Sequence, residues 1–129
     1  MGNSPLTEIR LGTQFGIGST MRTERDSMGE IAVPDEALYG ASTQRAVLNF
    51  PVSGHPMPVG FIRGLGLVKW AGAGANRQLS RLSDEKAEWI KKIAIEIADG
   101  AYSDQFPIDV FQTGSGTSTN MNINEVIAN

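Results

Sequence analysis

Nine consecutive residues, Gln112-Thr113-Gly114-Ser115-Gly116-Thr117-Ser118-Thr119-Asn120, carry five hydroxyls, two glycines and two amides. Glycine lets a backbone N–H turn toward a ligand, and hydroxyls are adjustable donors. A helix starting just after the glycines adds unpaired N–H groups and a partial positive charge. Together these make a cradle for an anion, built from neutral donors. The known phosphate loops do not match it. No lysine follows Lys92, so a Walker A loop is excluded. Thr117-Ser118-Thr119 follow Gly116 where a dinucleotide fingerprint needs its third glycine. Gly72-x-Gly74 is a weaker lookalike inside a helical stretch. A carboxylate is the better-matched ligand, and a polar helix cap with no ligand is the alternative that composition leaves open.

Other candidates carry less. Asn120, Asn122 and Asn124 alternate just before Glu125, and asparagine is a poor helix former. Three in five residues point to amides hydrogen-bonded inside a site or an assembly, with capping and exposure as the alternative. His55, between Gly54 and Pro56, has no neighbouring carboxylate to orient it and is expected to be exposed and non-catalytic. Glu24, Asp26 and Glu30 are spaced for a hairpin, which scatters carboxylates, so they are expected to form a solvated face and no metal site. The chain has no cysteine and one histidine. Disulfides, thiolate sites and a pair of imidazoles are thereby excluded within it.

At 129 residues the chain holds one domain's worth of sequence. Hydrophobic residues make up 40% and aromatics only 7%, so the core must be aliphatic and alanine-rich. The net charge of −3 offers no surface for nucleic acid or an anionic membrane. All 11 Lys and Arg lie within the first 92 residues, and an anion near the last segment must be held by neutral donors or by cations from elsewhere in the fold. No apolar run is long enough for a membrane span. Residues 1–20 lack the basic start and apolar stretch of a signal peptide, and Leu6 stands where a myristoylation signal needs Ser or Thr. The cytoplasm is the simplest expectation, with an organellar matrix as the alternative.

The elements that must position these groups are mostly helical. Residues 1–20 read as a mobile leader. Thr23–Asp26 and Glu30–Val33 flank a turn at Ser27-Met28-Gly29 and predict a β-hairpin ending at Pro34. Asp35-Glu36 suit a short helical turn, and Thr43–Asn49 a short helix. Pro51–Pro58 is a loop. Ile62–Leu82 predicts a long helix with Ile62, Leu65, Lys69, Gly72, Ala73, Asn76 and Leu79 on one face, a helix broken at its glycines being the alternative. Its glycines each cost about 1 kcal/mol against alanine, a cost that close approach of another helix would offset. Ser83 caps the next helix, with Asp84 and Glu85 in its first turn. Its apolar stripe is Ile90, Ile93, Ala94, Ile97 and Ala101, and Gly100 stops it. Asp104–Gly116 is irregular. A last helix starts near Thr117 or Ser118, with Ile123, Val126 and Ile127 as its apolar edge and neither cap nor basic last turn, as if cut in mid-helix. The expected fold class is mainly α with a small N-terminal β-hairpin.

The stretch Phe111–Asn129 resembles the first signature of class II fumarate hydratase, with Gln112-Thr113-Gly114-Ser115-Gly116-Thr117 and Asn120-Met121-Asn122-Ile123-Asn124-Glu125-Val126 at its centre. Earlier stretches agree in order: Glu24–Glu30, Val33-Pro34, Tyr39–Ala41, Thr43–Ala46, Asn49-Phe50 and Asp104–Asp109. Ser42 departs from the family, which usually has glutamine there. The resemblance covers residues 22–129 and implies the N-terminal domain of the fumarase/aspartase superfamily over residues 21–129, truncated at its C-terminal end. It implies reversible hydration of fumarate to L-malate with no cofactor and no metal. Ser115, Gly116 and Thr117 align with the family's substrate-carboxylate element. The resemblance further implies that no catalytic residue lies within this chain, because the catalytic serine, histidine and lysine come later in the family, as do the helices of its homotetramer. An aspartase-type ammonia-lyase is the nearest rival, and a non-catalytic dicarboxylate-binding or structural module is the alternative from another class.

Overall fold

A computed structural model describes residues 20–129. The expected leader, but for Thr20, lies outside the described residues.

The chain opens as an antiparallel hairpin, β1 (Met21–Asp26) and β2 (Gly29–Pro34), with Met21 opposite Pro34 and Asp26 opposite Gly29. Gly29 therefore belongs to the second strand rather than to the turn. Its φ of +118° is one that a side chain would oppose. Asp26 accepts the Met28 N–H at 2.8 Å and closes the turn. Asp35-Glu36 form a turn in which the Ala37 N–H bonds the Pro34 carbonyl.

Helix α1 (Ala41–Asn49) follows, then a proline-rich loop and α2 (Val59–Gln78). Helix α3 (Asp84–Ala98) runs antiparallel to α2: Arg77 reaches Asp84 and Glu88 at one end, and Gly66 lies against Ala94 and Ala98 at the other. A 3-10 turn (Ser103–Gln105) and an irregular segment lead to α4 (Thr117–Ala128). The architecture is thus mainly helical with one small hairpin, as expected.

The ends of α3 obey local chemistry. Ser83 Oγ accepts the Lys86 N–H, and Asp84 and Glu85 occupy the first turn. At the C-terminal end Gly100, at φ +96°, lets the Ala101 N–H reach back to the Glu96 carbonyl. Helix α2 ends at Gln78, not at Leu82. Ser80, at φ +56°, closes the same kind of motif, with the Arg81 N–H on the Asn76 carbonyl. The inward face of α2 is correspondingly shorter than its periodicity implies: Ile62, Gly66 and Ala73 are buried, while Asn76 and Leu79 are exposed.

The core is drawn from β2, α2, α3, α4 and the links between them. Val33, Tyr39, Ile62, Ile97, Phe106, Ile123 and Val126 form one buried cluster. Of the hairpin carboxylates Glu30 is exposed as expected, but Asp26 and Glu24 are paired. Arg45 of α1 grips Asp26 with two bonds of 2.7 and 2.9 Å, and Arg22 pairs with Glu24. The Arg22 guanidinium also donates to the carbonyls of Pro34, Asp35, Ala37 and Tyr39. It thereby holds the irregular link between β2 and α1, whose carbonyls have no sheet or helix partner.

Of the glycines in α2, Gly66 is the one that permits close approach. A Cβ there would stand 2.8 Å from the Ala94 carbonyl oxygen and 3.2 Å from the Ala98 Cβ, whereas at Gly64 nothing lies within 4 Å. Gly66→Ala is expected to destabilise by about 1–3 kcal/mol, despite the ~1 kcal/mol helix-propensity gain. Gly64→Ala is expected to stabilise by up to ~1 kcal/mol. Urea unfolding checks the pair, and an equal response of both variants would remove close helix packing as the reason for Gly66.

Candidate functional site

The approach to the glycine-rich turn is anchored first. Phe106 and Ile108 are buried, and so is the carboxylate of Asp109. That carboxylate accepts the backbone N–H groups of Ser53 at 2.6 Å, Gly54 at 2.7 Å and Phe111 at 2.8 Å, together with the Ser53 hydroxyl. Burial pushes its pKa up, but the ring of donors outweighs burial and brings it down from 3.8 to about 2. The Val110 N–H bonds the His55 carbonyl alongside. The proline-rich loop and the start of the signature are thus clamped together. His55 is exposed and contributes its backbone here.

Next, Gln112 folds its side chain over the start of α4. Its Oε1 accepts the Thr119 N–H at 3.0 Å, and its Nε2 donates to Thr119 Oγ1 at 2.6 Å. Gly116, the N-cap residue, has no side chain to do this. Thr113–Gly116 make a turn in which the Gly116 N–H bonds the Thr113 carbonyl at 3.0 Å. Gly116 then takes φ +69° and ψ 12° and directs the chain into the helix. A side chain at that φ would cost roughly 1–2 kcal/mol. No acceptor among the described residues takes the N–H of Thr117 or Ser118. Ser115 and Thr117 are exposed beside them. The turn therefore presents two hydroxyls and two free N–H groups at the positive end of a helix dipole. Ser115, Gly116 and Thr117 form the outer edge of this turn. Because the Gly116 N–H is used internally, the backbone donors are those of the next two residues.

The asparagines divide by role. Asn122 is 1% exposed and donates to the Gln105 carbonyl at 2.9 Å, while Gln105 Oε1 accepts the Leu38 N–H. Asn120 accepts from Lys69 Nζ of α2 at 2.6 Å. Asn124 is half-buried. Lys69 is thus a cation brought to α4 from elsewhere in the fold. Sequence spacing assigned it only to a helix face. Asp109 was likewise read only as part of the family match. The pairing of each with a partner more than 50 residues away leaves no local signal, and only the Asp109 bond to the Phe111 N–H is local.

The Asp109 clamp makes a pH prediction. A folded pKa below the ordinary value means that its stabilisation is complete above about pH 4 and is lost as pH falls through about 2. The amide protons of Ser53, Gly54 and Phe111 are expected to titrate together near pH 2 by NMR, and the common transition is expected to vanish in Asp109→Asn. A midpoint at the ordinary carboxyl value would contradict the clamp.

Comparison with known proteins bears on the family and the fold. Residues 29–129 match a protein family described as Lyase. The class II fumarate hydratase of Halobacterium salinarum is 58% identical over 108 residues, covering 84% of this chain and 23% of that protein. The Mycobacterium tuberculosis class II fumarate hydratase is 61% identical over 107 residues, covering 83% of this chain and 23% of that protein. Among solved structures, the fumarate lyase:delta crystallin of Brucella melitensis superposes with a TM-score of 0.82 at 45% identity, over 85% of this chain and 26% of that one. Class II fumarase from Schistosoma mansoni gives 0.82 at 40% identity, over 84% and 23%. The chain spans about a quarter of the length of these relatives. The resemblance drawn from Phe111–Asn129 is borne out, and the chain belongs to this lyase family.

Proposed function

We propose that this chain supplies the carboxylate-binding turn of a fumarate hydratase, which adds water across fumarate to give L-malate and reverses the reaction. The observation that carries the proposal is the Gly116 turn, which leaves the hydroxyls of Ser115 and Thr117 and the N–H groups of Thr117 and Ser118 facing outward at the start of α4. The names of the relatives support the substrate assignment.

The chemistry explains why such a turn is useful. Removing the C3 proton of malate moves an electron pair into the adjacent carboxylate, which becomes a dianionic aci-carboxylate. Expelling hydroxide from C2 then leaves fumarate. Donors fixed before the reaction stabilise the dianion more than the ground-state carboxylate, which is what lowers the barrier. Ser115 and Thr117 would donate to the carboxylate oxygens, and Gly116 would set the conformation that aims them. The base that takes the proton and the acid that assists hydroxide are assigned to the part of the relatives' length that this chain does not span. On the same reading the complete enzyme is a homotetramer of the cytoplasm or an organellar matrix. Among the described residues no helix is long and apolar enough to cross a membrane.

The 129-residue chain is expected not to hydrate fumarate. A steady loss of fumarate absorbance with the purified chain, abolished by Thr117→Ala, would overturn this. Binding is a separate matter. Amide resonances of Ser115–Asn120 are expected to shift with millimolar fumarate, and Thr117→Ala to weaken the response about tenfold, as expected for a hydrogen bond to a charged group. No shift in the unaltered chain would leave the turn a helix cap and nothing more.

A further inference from the structure

Lys69 is half-buried on α2 and extends its ammonium to α4, where Nζ lies 2.6 Å from Asn120 Oδ1. Among the described residues it makes no ion pair, in contrast to Arg22, Arg45, Arg77 and Lys91. A partly desolvated ammonium facing one neutral amide is an incomplete arrangement, and an anion completes it. The position of that anion follows from helix geometry. A side chain on a helix covers the turn N-terminal to its own Cα. Asn120 therefore lies over Gly116 and Thr117, and its own N–H bonds the Gly116 carbonyl.

The cation also settles which way the amide faces. An ammonium has only donors, so it must meet Oδ1, and this leaves the two Nδ2 hydrogens turned away from it. No acceptor among the described residues takes them.

We propose that Lys69 and Asn120 complete the carboxylate site: Asn120 Nδ2 donates to the ligand, and Lys69 is a positioning residue that fixes and polarises that amide while supplying the positive charge that α4 and its flanking loop lack. This rests on the assignment of Ser115–Thr117 as the carboxylate-binding turn. The ligand class is a dicarboxylate whose charge is met by one cation at one remove, so binding should be sensitive to salt.

The test titrates fumarate into this chain and follows the backbone amides of Ser115–Ser118 and the side-chain amide of residue 120. Lys69→Met keeps the apolar stem and removes the charge. It is expected to weaken binding about tenfold and to flatten its salt dependence, while Lys69→Arg recovers most of the affinity. Asn120→Asp keeps the shape and is expected to gain an ion pair with Lys69. It should raise the unfolding midpoint and yet abolish fumarate binding, a split that a merely structural role would not produce. Backbone shifts of Ser115–Ser118 that are unchanged in Lys69→Met and Asn120→Asp would overturn this inference and leave the turn assignment standing. Absence of those shifts in the unaltered chain would overturn both.

Discussion

The carboxylate of Glu125 is the constraint on which the arrangement depends. It lies near the end of α4, yet it accepts the N–H groups of Gly40 at 2.5 Å, Ser42 at 2.9 Å and Thr43 at 3.3 Å. These are the orphan donors at the start of α1. That helix has no side-chain cap of its own and no acid in its first turn. A residue some 85 positions away thus provides both the cap and the negative charge that the helix dipole favours. At position 40 glycine leaves room for the ends of two glutamate side chains, and its φ of −117° needs no special backbone freedom. A Cβ there would stand 2.8 Å from Glu24 Oε2 and 3.2 Å from Glu125 Oε2.

Fixing one end of α4 fixes the other, because a helix is stiff over two turns. Glu125 lies eight residues beyond Thr117, about 12 Å along the axis. Between them Asn122 ties the same helix to the Gln105 carbonyl, and the N-terminal turn is closed by Gln112. The grip continues outward from α1 through Arg45 and Asp26 to the hairpin. The exposed turn at Ser115–Thr117 therefore sits on a helix braced by the hairpin, by α1 and by the loop that Asp109 clamps. This is the preorganisation a carboxylate site needs, since donors that must reorganise during a reaction return less stabilisation.

Legibility in the sequence followed the range of the interaction. The Ser83 cap and the Gly100 stop depend on residues within about one turn of each other, the hairpin and the start of α4 on residues within one short stretch of chain, and all are readable. The end of α2 was not, because Ser80 takes the left-handed conformation usually signalled by glycine or asparagine. The family signature marked the turn, and composition explained its neutral donors. What remained hidden were the pairings across the fold: Ser53 with Asp109, Lys69 with Asn120, Gly40 with Glu125. Periodicity ranks positions on one element and says nothing about which distant residue will meet them. The expected solvated face held at Glu30 but failed at Asp26 for the same reason, since its partner Arg45 lies 19 residues away on α1; Glu24 instead pairs with Arg22, two residues back on its own strand.

The most direct measurement of the central claim is amide hydrogen exchange in Glu125→Ala against the unaltered chain. If the carboxylate braces α4 as a unit, protection falls at Gly40, Ser42 and Thr43 and also at Thr119 and Asn120, two turns away beside the candidate site. Loss of the cap should cost about 1–2 kcal/mol. Faster exchange confined to Gly40–Thr43, with Thr119 and Asn120 unchanged, would show that Glu125 caps α1 without holding the site, and would contradict the account.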